Sequence, residues 1–266
     1  MGLRELLDER GATLGGWCSI PSAFSAELMG RSGFDWVCVD TQHGLIGYDQ
    51  MTLMLQGLAI TRTPAFVRVP WNSAHHIMKA LDAGAEGIIV PMVSGAAEAA
   101  AAVAATRYPP EGTRSWGPVR AALDVPGYSP QAGNSRTLLA VMIETPGGVE
   151  NADEILSVPG VDAVYIGPSD LALSHGLTPT LDVTNRTHLE LIETVLAASK
   201  RHQVTAGIHC DRPDTVRRWW DAGFDMCTLA SDAGLMRSAA AAAIAVTASH
   251  PRRAAEASPS SSATHA

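Results

Sequence analysis

Two carboxylates follow apolar runs at matching places in this sequence, and they are its first candidates for chemistry. Glu144 ends the run 140–143, and Asp170 comes shortly after the run 163–166. Carboxylate oxygens suit hard divalent cations such as Mg²⁺ and Mn²⁺. One interpretation is therefore a metal site held by Glu144 and Asp170. The alternative is that each acid stabilises the start of the helix that follows it, where the helix dipole favours negative charge.

Further ionisable side chains lie at the ends of two earlier apolar runs. Asp40 and His43 end the predicted second strand, and Arg68 lies at the end of the third. Arg68 could have a purely structural role in an ion pair, and His43 could be a hydrogen-bonded loop residue. An imidazole, a fixed cation and several carboxylates at one rim are, however, what a metal-assisted active site requires.

A repeated junction predicts the elements that position these side chains. In four places a Gly is followed by an apolar residue, an acid and an apolar run: residues 33–39, 84–90, 160–166 and 223–229. Such repeats indicate successive βα units and a parallel sheet.

The full pattern predicts a (β/α)8 TIM barrel, in which chemistry takes place at the carboxyl ends of the strands. Strands are predicted near residues 13–18, 35–39, 64–69, 87–91, 138–143, 162–166, 204–208 and 225–229, with helices between them. A doubly wound open sheet is the alternative, but no GxGxxG motif follows the first strand. Residues 107–137 are predicted to form a long loop on the face opposite the strand ends.

The composition fits one large domain and argues against several classes of protein. The chain has 266 residues, 46% of them hydrophobic. A net charge of −8 without a Lys or Arg run argues against a nucleic-acid partner. No apolar run approaches the roughly 18 residues of a membrane span. The four cysteines form no CxxC pair, which is typical of reduced thiols in a cytoplasmic protein. We expect one barrel domain over residues 1–248 and a disordered tail over 249–266.

A series of short motifs connects the chain to a known family. The motifs lie at residues 33–36, 40–44, 67–72, 87–93, 107–112, 143–145 and 166–171. With them, in this order, the sequence resembles the HpcH/HpaI aldolase family of metal-dependent class II pyruvate aldolases over about residues 3–245.

The resemblance implies roles for individual residues. The matching Glu and Asp bind a divalent metal, Mg²⁺, Mn²⁺ or Co²⁺, which assigns Glu144 and Asp170 as ligands. The matching His, here His43, serves as the base, and the matching Arg, here Arg68, binds the pyruvyl carboxylate.

Other assignments stay open at this point. Asp40 and Asp82 are candidates to orient His43. Three residues, Gly167, Pro168 and Ser169, either shape the substrate pocket and hold the substrate carboxylate or only form a turn. His209 follows the predicted seventh strand, either in the substrate pocket or as a packed loop residue. Four other histidines are predicted to lie on the surface of helices: His75, His76, His188 and His202.

The implied activity is reversible cleavage of 4-hydroxy-2-oxo acids to pyruvate and an aldehyde through a metal-stabilised enolate. Substrates similar to 4-hydroxy-2-oxoheptanedioate or 2-dehydro-3-deoxyglucarate are expected. A Schiff-base route needs a Lys in the barrel core, and the only lysines, Lys79 and Lys200, lie in predicted helices. The alternatives are a citryl- or malyl-CoA-type lyase, an oxaloacetate decarboxylase on the same scaffold, and a non-catalytic binding barrel.

The chain departs from the family at two positions, and a third residue bears on whether it forms an oligomer. Many members have Glu where this chain has Gln42, and Gln where it has Met142. Asp82 ends a predicted helix on the face opposite the strand ends, too far from His43 in its own barrel, whereas the resemblance implies that it is a partner of this His. Both can hold only if a neighbouring subunit presents Asp82 to the site. Relatives are commonly hexamers with an exchanged last helix. We therefore expect a homo-oligomer, a hexamer with the last helix exchanged between subunits.

Overall fold

The computed structural model of the protein describes residues 2–9 and 11–248, in which parallel strands form a closed barrel. The strands are β1 Thr13–Cys18, β2 Trp36–Asp40, β3 Ala65–Arg68, β4 Gly87–Val90, β5 Leu138–Met142, β6 Ala163–Ile166, β7 Thr205–Ile208 and β8 Met226–Ser231. Each strand pairs with its neighbours in sequence, and β8 closes the barrel against β1. The predicted (β/α)8 barrel is confirmed, whereas the predicted tail, residues 249–266, lies outside the described residues.

Helices connect the strands in the predicted alternation. They are α1 Leu3–Glu9, α2 Ala23–Arg31, α3 Tyr48–Thr61, α4 Ala74–Asp82, α5 Ala96–Thr106, α6 Ala121–Asp124, α7 Pro130–Arg136, α8 Pro146–Glu150, α9 Ala152–Leu156, α10 Pro168–Ser174, α11 Arg186–His202, α12 Pro213–Ala222 and α13 Asp232–Ala248. Two details differ from the prediction. The predicted loop 107–137 contains α6 and α7, and the helix predicted after β5 is divided at Asn151 into α8 and α9.

The four repeated junctions have a common geometry. Their glycines adopt positive φ angles, a backbone conformation that ends a helix at little cost only in glycine: Gly33 (92°), Gly84 (104°), Gly160 (97°) and Gly223 (100°). The acid that follows accepts an N–H from a neighbouring strand at three junctions: Asp35 from Leu14, Asp162 from Leu139 and Asp225 from Ala206. These acids therefore fasten neighbouring strands at the amino-end face, away from the strand ends where chemistry is expected.

The two-residue period of the strands decides which side chains enter the barrel. The core includes Trp36 and Cys38 of β2, Phe66 of β3, and Ala140 and Met142 of β5. Continued by two residues towards the carboxyl ends, these series lead to three ionisable side chains: Asp40, Arg68 and Glu144. Local strand geometry thus aims all three into the same end of the barrel.

The chain divides into two compact units. The barrel unit ends at Asp232, and the second unit begins at Ala233. The described residues of the second unit belong to helix α13. Its apolar side chains include the exposed Met236 and Ile244. The predicted domain boundary at residue 248 stays a prediction. None of the helices in the described residues is long and apolar enough to cross a membrane. All four cysteines are buried free thiols.

Candidate active site

The two predicted metal ligands lie on one rim of the barrel. Glu144 lies two residues after β5, and Asp170 is the third residue of α10, which follows β6. Because β5 and β6 pair in parallel, their carboxyl ends meet at the same edge. Glu144 is buried, whereas Asp170 is half-buried.

Glu144 carries one satisfied and one unsatisfied oxygen. Its Oε1 accepts the N–H of Met92 at 3.0 Å, and Met92 is one of the few non-glycine residues with a positive φ, 59°. Its Oε2 is buried without a hydrogen bond in the described residues. Burial raises the pKa of Glu144 to about 7; the hydrogen bond from Met92 opposes this shift, and the charge of Asp170 adds to it. A carboxylate in this state is stabilised by a cation placed between it and Asp170.

The turn beside Glu144 requires glycine. A Cβ at Gly167 would collide with Glu144 Oε2, so glycine keeps the space beside this oxygen open. Among the residues that the structure describes, no group of three or more His, Cys, Asp and Glu side chains gathers to hold a metal. The chain therefore offers two carboxylates, which fits ions such as Mg²⁺ that keep positions for water and substrate oxygens.

Arg68 and Asp40 occupy paired positions on β3 and β2. Arg68 Nε donates to Asp40 Oδ1 at 2.9 Å, and Nη2 donates to Oδ2 at 2.6 Å. Trp17 Nε1 donates to the same Oδ2 at 3.1 Å, and the guanidinium lies 4.9 Å from the Trp17 ring centroid. Burial alone would raise the pKa of Asp40, but the hydrogen bonds and charge of Arg68 outweigh it and lower that pKa. Arg68 is thus a fixed cation whose Nη1 stays outside the pair.

His43 lies on the loop after β2, and its side chain is exposed. Its backbone N–H donates to Asp40 Oδ1 at 3.3 Å, and that of Gln42 donates to the same oxygen at 3.1 Å. Asp40 therefore fixes the main chain of this loop. Over residues 2–9 and 11–248, no hydrogen bond holds the imidazole itself, so Asp40 positions His43 through its backbone and not through its ring.

Asp82 lies at the end of α4 and makes an ion pair with the segment between α5 and β5. Arg114 Nη2 donates to Asp82 Oδ1 at 2.7 Å, and the N–H of Arg120 donates to the Asp82 carbonyl at 3.2 Å. From the same segment, Arg107 bonds Asp162, which precedes β6. This segment therefore covers the amino-end face, as predicted, and Asp82 is not brought to His43 within the chain.

The remaining predicted site residues form the turn between β6 and α10. Gly167 is the N-cap of α10, and Pro168 and Ser169 begin its first turn. Pro168 is buried, and Ser169 is half-buried. Met142, one of the two departures from the family, is buried in the core and packs beside Gly167. The thioether supplies no hydrogen-bond donor at this edge.

Two further histidines, His188 and His209, are at least partly buried. His188, predicted to be on the surface, is only 1% exposed, because it shares the buried face of α11 with Ile192 and Val195. The spacing of these three residues, 188, 192 and 195, is a helical signal that could have identified this face. His209 is half-buried and contacts Trp17, with ring centroids 4.8 Å apart.

Comparison with known proteins shows that this chain is similar to aldolases. The family described as HpcH/HpaI aldolase/citrate lyase matches residues 14–239. The hydroxypyruvate/pyruvate aldolase of Rhizorhabdus wittichii is 40% identical over 248 residues, 91% of this chain and 97% of the relative. The 5-keto-4-deoxy-D-glucarate aldolase of Klebsiella pneumoniae is 35% identical over 232 residues, 85% of this chain and 88% of the relative.

A solved structure agrees with these matches. An HpcH/HpaI aldolase/citrate lyase family protein of Burkholderia cenocepacia superposes with a TM-score of 0.87 at 30% sequence identity. The superposition covers 93% of this chain and 99% of the other. The similarity therefore extends over the barrel as a whole.

Proposed function

The chain belongs to the HpcH/HpaI aldolase/citrate lyase family and is a carbon–carbon lyase of the aldolase type, and we propose that it reversibly cleaves 4-hydroxy-2-oxo acids, with pyruvate or a related 2-oxo acid as donor. One observation carries the proposal. The buried, unpartnered Oε2 of Glu144 belongs to a carboxyl group whose pKa responds to both Asp170 and Arg68, after the larger effect of burial. Carboxylates and a fixed cation at one rim suit a metal and an anionic oxo acid.

Glu144 and Asp170 are the proposed ligands of a divalent metal, Mg²⁺, Mn²⁺ or Co²⁺. When bound, the metal supplies a Lewis acid for the oxygen that becomes negative when the carbon–carbon bond breaks. Glu144 needs to be ionised for this role, and its raised pKa of about 7 makes the bound cation and the ionised carboxylate mutually stabilising. Gly167 has no Cβ to collide with Oε2 at this position.

Arg68 is the proposed partner of the substrate carboxylate. Asp40 and Trp17 hold the guanidinium of Arg68 in one orientation before substrate binds. A fixed planar cation loses little conformational entropy on binding and can direct its remaining N–H groups at a carboxylate. The turn formed by Gly167, Pro168 and Ser169 is proposed to line the same pocket.

His43 is the proposed base. Cleavage requires removal of the proton from the C4 hydroxyl, and synthesis requires removal of a proton from the methyl group of pyruvate. An imidazole suits both steps near neutral pH, directly or through one water. Since Asp40 already anchors the backbone of His43, the loop can present the ring while the ring itself stays free to accept a proton.

Asp82 is proposed to act in a neighbouring subunit. Within its own chain it bonds Arg114 at the amino-end face, so a contact with His43 requires a second copy. We propose a homo-oligomer, a hexamer with α13 exchanged between subunits. The exposed apolar side chains of α13, Met236 and Ile244, support an interaction surface on this helix.

The function is tested by incubating the protein with pyruvate and a panel of aldehydes, with and without Mg²⁺, Mn²⁺ or Co²⁺. The expected result is metal-dependent formation of 4-hydroxy-2-oxo acids and metal-dependent exchange of the pyruvate methyl protons. Oxaloacetate and citryl-CoA serve as comparison substrates. An enzyme that decarboxylates oxaloacetate or splits the carbon–carbon bond of citryl-CoA, but neither exchanges pyruvate protons nor forms aldol products, contradicts the proposal.

A further inference from the structure

His209 occupies a place in the barrel that is equivalent to those of the proposed site residues. It follows β7, and the two-residue period that turns Gly207 towards the ring of Tyr165 also directs His209 into the barrel end. Its backbone N–H donates to the carbonyl of Ile166 at 3.0 Å, next to the Gly167 turn. Its ring contacts Trp17, on which Arg68 also stacks. The imidazole therefore belongs to the same rim as Arg68 and Glu144.

The hydrogen bonds around His209 determine which ring nitrogen carries the proton. Its Nδ1 lies 3.2 Å from Thr228 Oγ1 and 3.4 Å from the Tyr165 hydroxyl. Thr228 Oγ1 already accepts the N–H of Cys210 at 3.0 Å and the hydroxyl of Tyr165 at 3.3 Å. With both lone pairs used, Thr228 has two acceptors for its own hydrogen, Nδ1 at 3.2 Å and the carbonyl of Cys210 at 3.5 Å, and we assign the hydrogen to the nearer, Nδ1. Nδ1 is then an acceptor, and the proton of the neutral ring lies on Nε2.

The surroundings keep this ring uncharged and fixed. Burial, followed by the positive charge of Arg68, lowers the pKa of His209 to about 4, although Asp40 opposes the shift. A base with so low a pKa removes protons poorly near neutral pH, which separates His209 from the role proposed for His43. In the described part of the chain, no hydrogen bond occupies Nε2. A neutral N–H donor is thus held at this rim, beside Trp17.

We propose that His209 selects substrates by donating a hydrogen bond from Nε2 to a hydroxyl oxygen of the donor or the acceptor. This inference rests on the proposed aldolase function and assigns a specificity-determining residue to the same site. A hydroxyl accepts a hydrogen bond from a neutral N–H, whereas the corresponding methyl or hydrogen leaves the donor unpaired in a partly buried pocket.

The test compares matched substrate pairs in the wild type and in two variants. One arm pairs 3-hydroxypyruvate with pyruvate at a fixed aldehyde, and the other pairs glycolaldehyde with acetaldehyde at fixed pyruvate. His209→Phe keeps an aromatic ring but removes the donor, whereas His209→Gln keeps an N–H close to the position of Nε2. Circular dichroism and thermal unfolding establish that each variant is folded.

We expect the wild type to prefer the hydroxylated member of one pair, as the ratio of kcat/KM values. In His209→Phe this ratio falls by about 10-fold, the scale of one hydrogen bond, and in His209→Gln it is largely restored. The arm that responds identifies whether donor or acceptor carries the hydroxyl. A ratio that is unchanged in His209→Phe, or that falls equally in both variants, overturns the proposal and makes His209 a packing residue.

If a variant does not fold, the measurements on the wild type still test the proposal. A wild type without preference for the hydroxylated member in either arm overturns the proposal by itself. Failure of the proposed function has a different signature, because the wild type then forms no aldol product from any of the four substrates. The two failures are therefore distinguishable in the same set of assays.

Discussion

Arg68 of β3 and Asp40 of β2 form a buried ion pair between neighbouring strands, with 2.9 Å between Nε and Oδ1 and 2.6 Å between Nη2 and Oδ2. The pair is bidentate, and Trp17 adds a third hydrogen bond to Asp40. Asp40 also accepts the backbone N–H of His43. One carboxylate therefore fixes both the proposed substrate-binding cation and the loop of the proposed base.

The first prediction concerns the geometry of that cation. Arg68→Lys keeps the charge but loses the planar fork, so the KM for pyruvate should rise about 10-fold or more, the scale of losing one charge-assisted hydrogen bond. Steady-state kinetics at saturating metal measure this change. Arg107→Lys, at an ion pair on the amino-end face, is the matched control and should leave KM unchanged. An unchanged KM in Arg68→Lys would move the carboxylate site elsewhere.

Much of this arrangement could be predicted from the sequence, because strand ends are local features. Asp40, Arg68, Glu144 and Asp170 each follow a recognisable apolar run. That Asp40 and Arg68 bond each other depends on the register between β2 and β3, which sequence periodicity does not specify. For the same reason the surroundings of His209, formed by Trp17 from another strand, could not be predicted.

Other differences arise where the signal in the sequence is short or where residue type and periodicity disagree. The four-residue helix Ala121–Asp124 is too short to show a helical period. The polar type of His188 favours the surface, whereas its spacing from Ile192 and Val195 places it on the buried face of α11. Residue type alone therefore misplaced a side chain that periodicity would have placed correctly.

The second prediction concerns the metal. Glu144→Gln or Asp170→Asn removes one of two charged ligands and should weaken Mn²⁺ binding on the order of 100-fold, with loss of metal-dependent turnover. Isothermal titration measures affinity, and an activity assay after chelation and metal return measures turnover. Glu150→Gln, on an exposed part of α8, is the control. Near-wild-type activity in chelated Glu144→Gln protein would remove the metal from the proposal.

The third prediction separates the base from the metal ligands. His43→Ala should reduce kcat for aldol cleavage by about 100-fold or more, the usual scale for loss of general acid–base catalysis. Metal affinity should change little, since neither metal-ligand candidate contacts this exposed loop residue in the described structure. His76→Ala alters another exposed histidine and serves as the control. If metal binding collapses in His43→Ala, the residue is a ligand instead.

The fourth prediction is a pH dependence of stability that originates at His209. Its pKa is about 4 in the folded protein and about 6.5 in an unfolded chain, so between these values the unfolded state binds the extra proton. The contribution of this group to the free energy of unfolding is therefore fully present above pH 6.5. It falls by about 2 kcal/mol between pH 7 and pH 5.

Denaturant unfolding of the metal-free protein at pH 7 and pH 5 measures this effect. In His209→Phe the pH-dependent difference in the free energy of unfolding should shrink by about 2 kcal/mol, whatever the absolute stability of the variant. His76→Phe should keep the full difference, because its side chain is exposed. Equal differences in wild type and His209→Phe would mean that the ring is not held neutral by the fold.

The last prediction tests completion of the site by a second subunit. Asp82 bonds the buried Arg114 at the amino-end face, so an Asn that keeps the Oδ1 acceptor should preserve most of this contact. If Asp82 serves the His43 of another subunit, His43→Ala and Asp82→Asn proteins are each inactive, but mixed oligomers contain some sites with both native residues. Subunit exchange should then restore part of the activity, up to about a quarter of the sites for random pairing between two kinds of subunit. Light scattering before and after mixing establishes the oligomeric state, and mixing two samples of His43→Ala protein is the control. A fully active monomer, or exchange without recovery, would show that Asp82 acts only through Arg114 in its own chain.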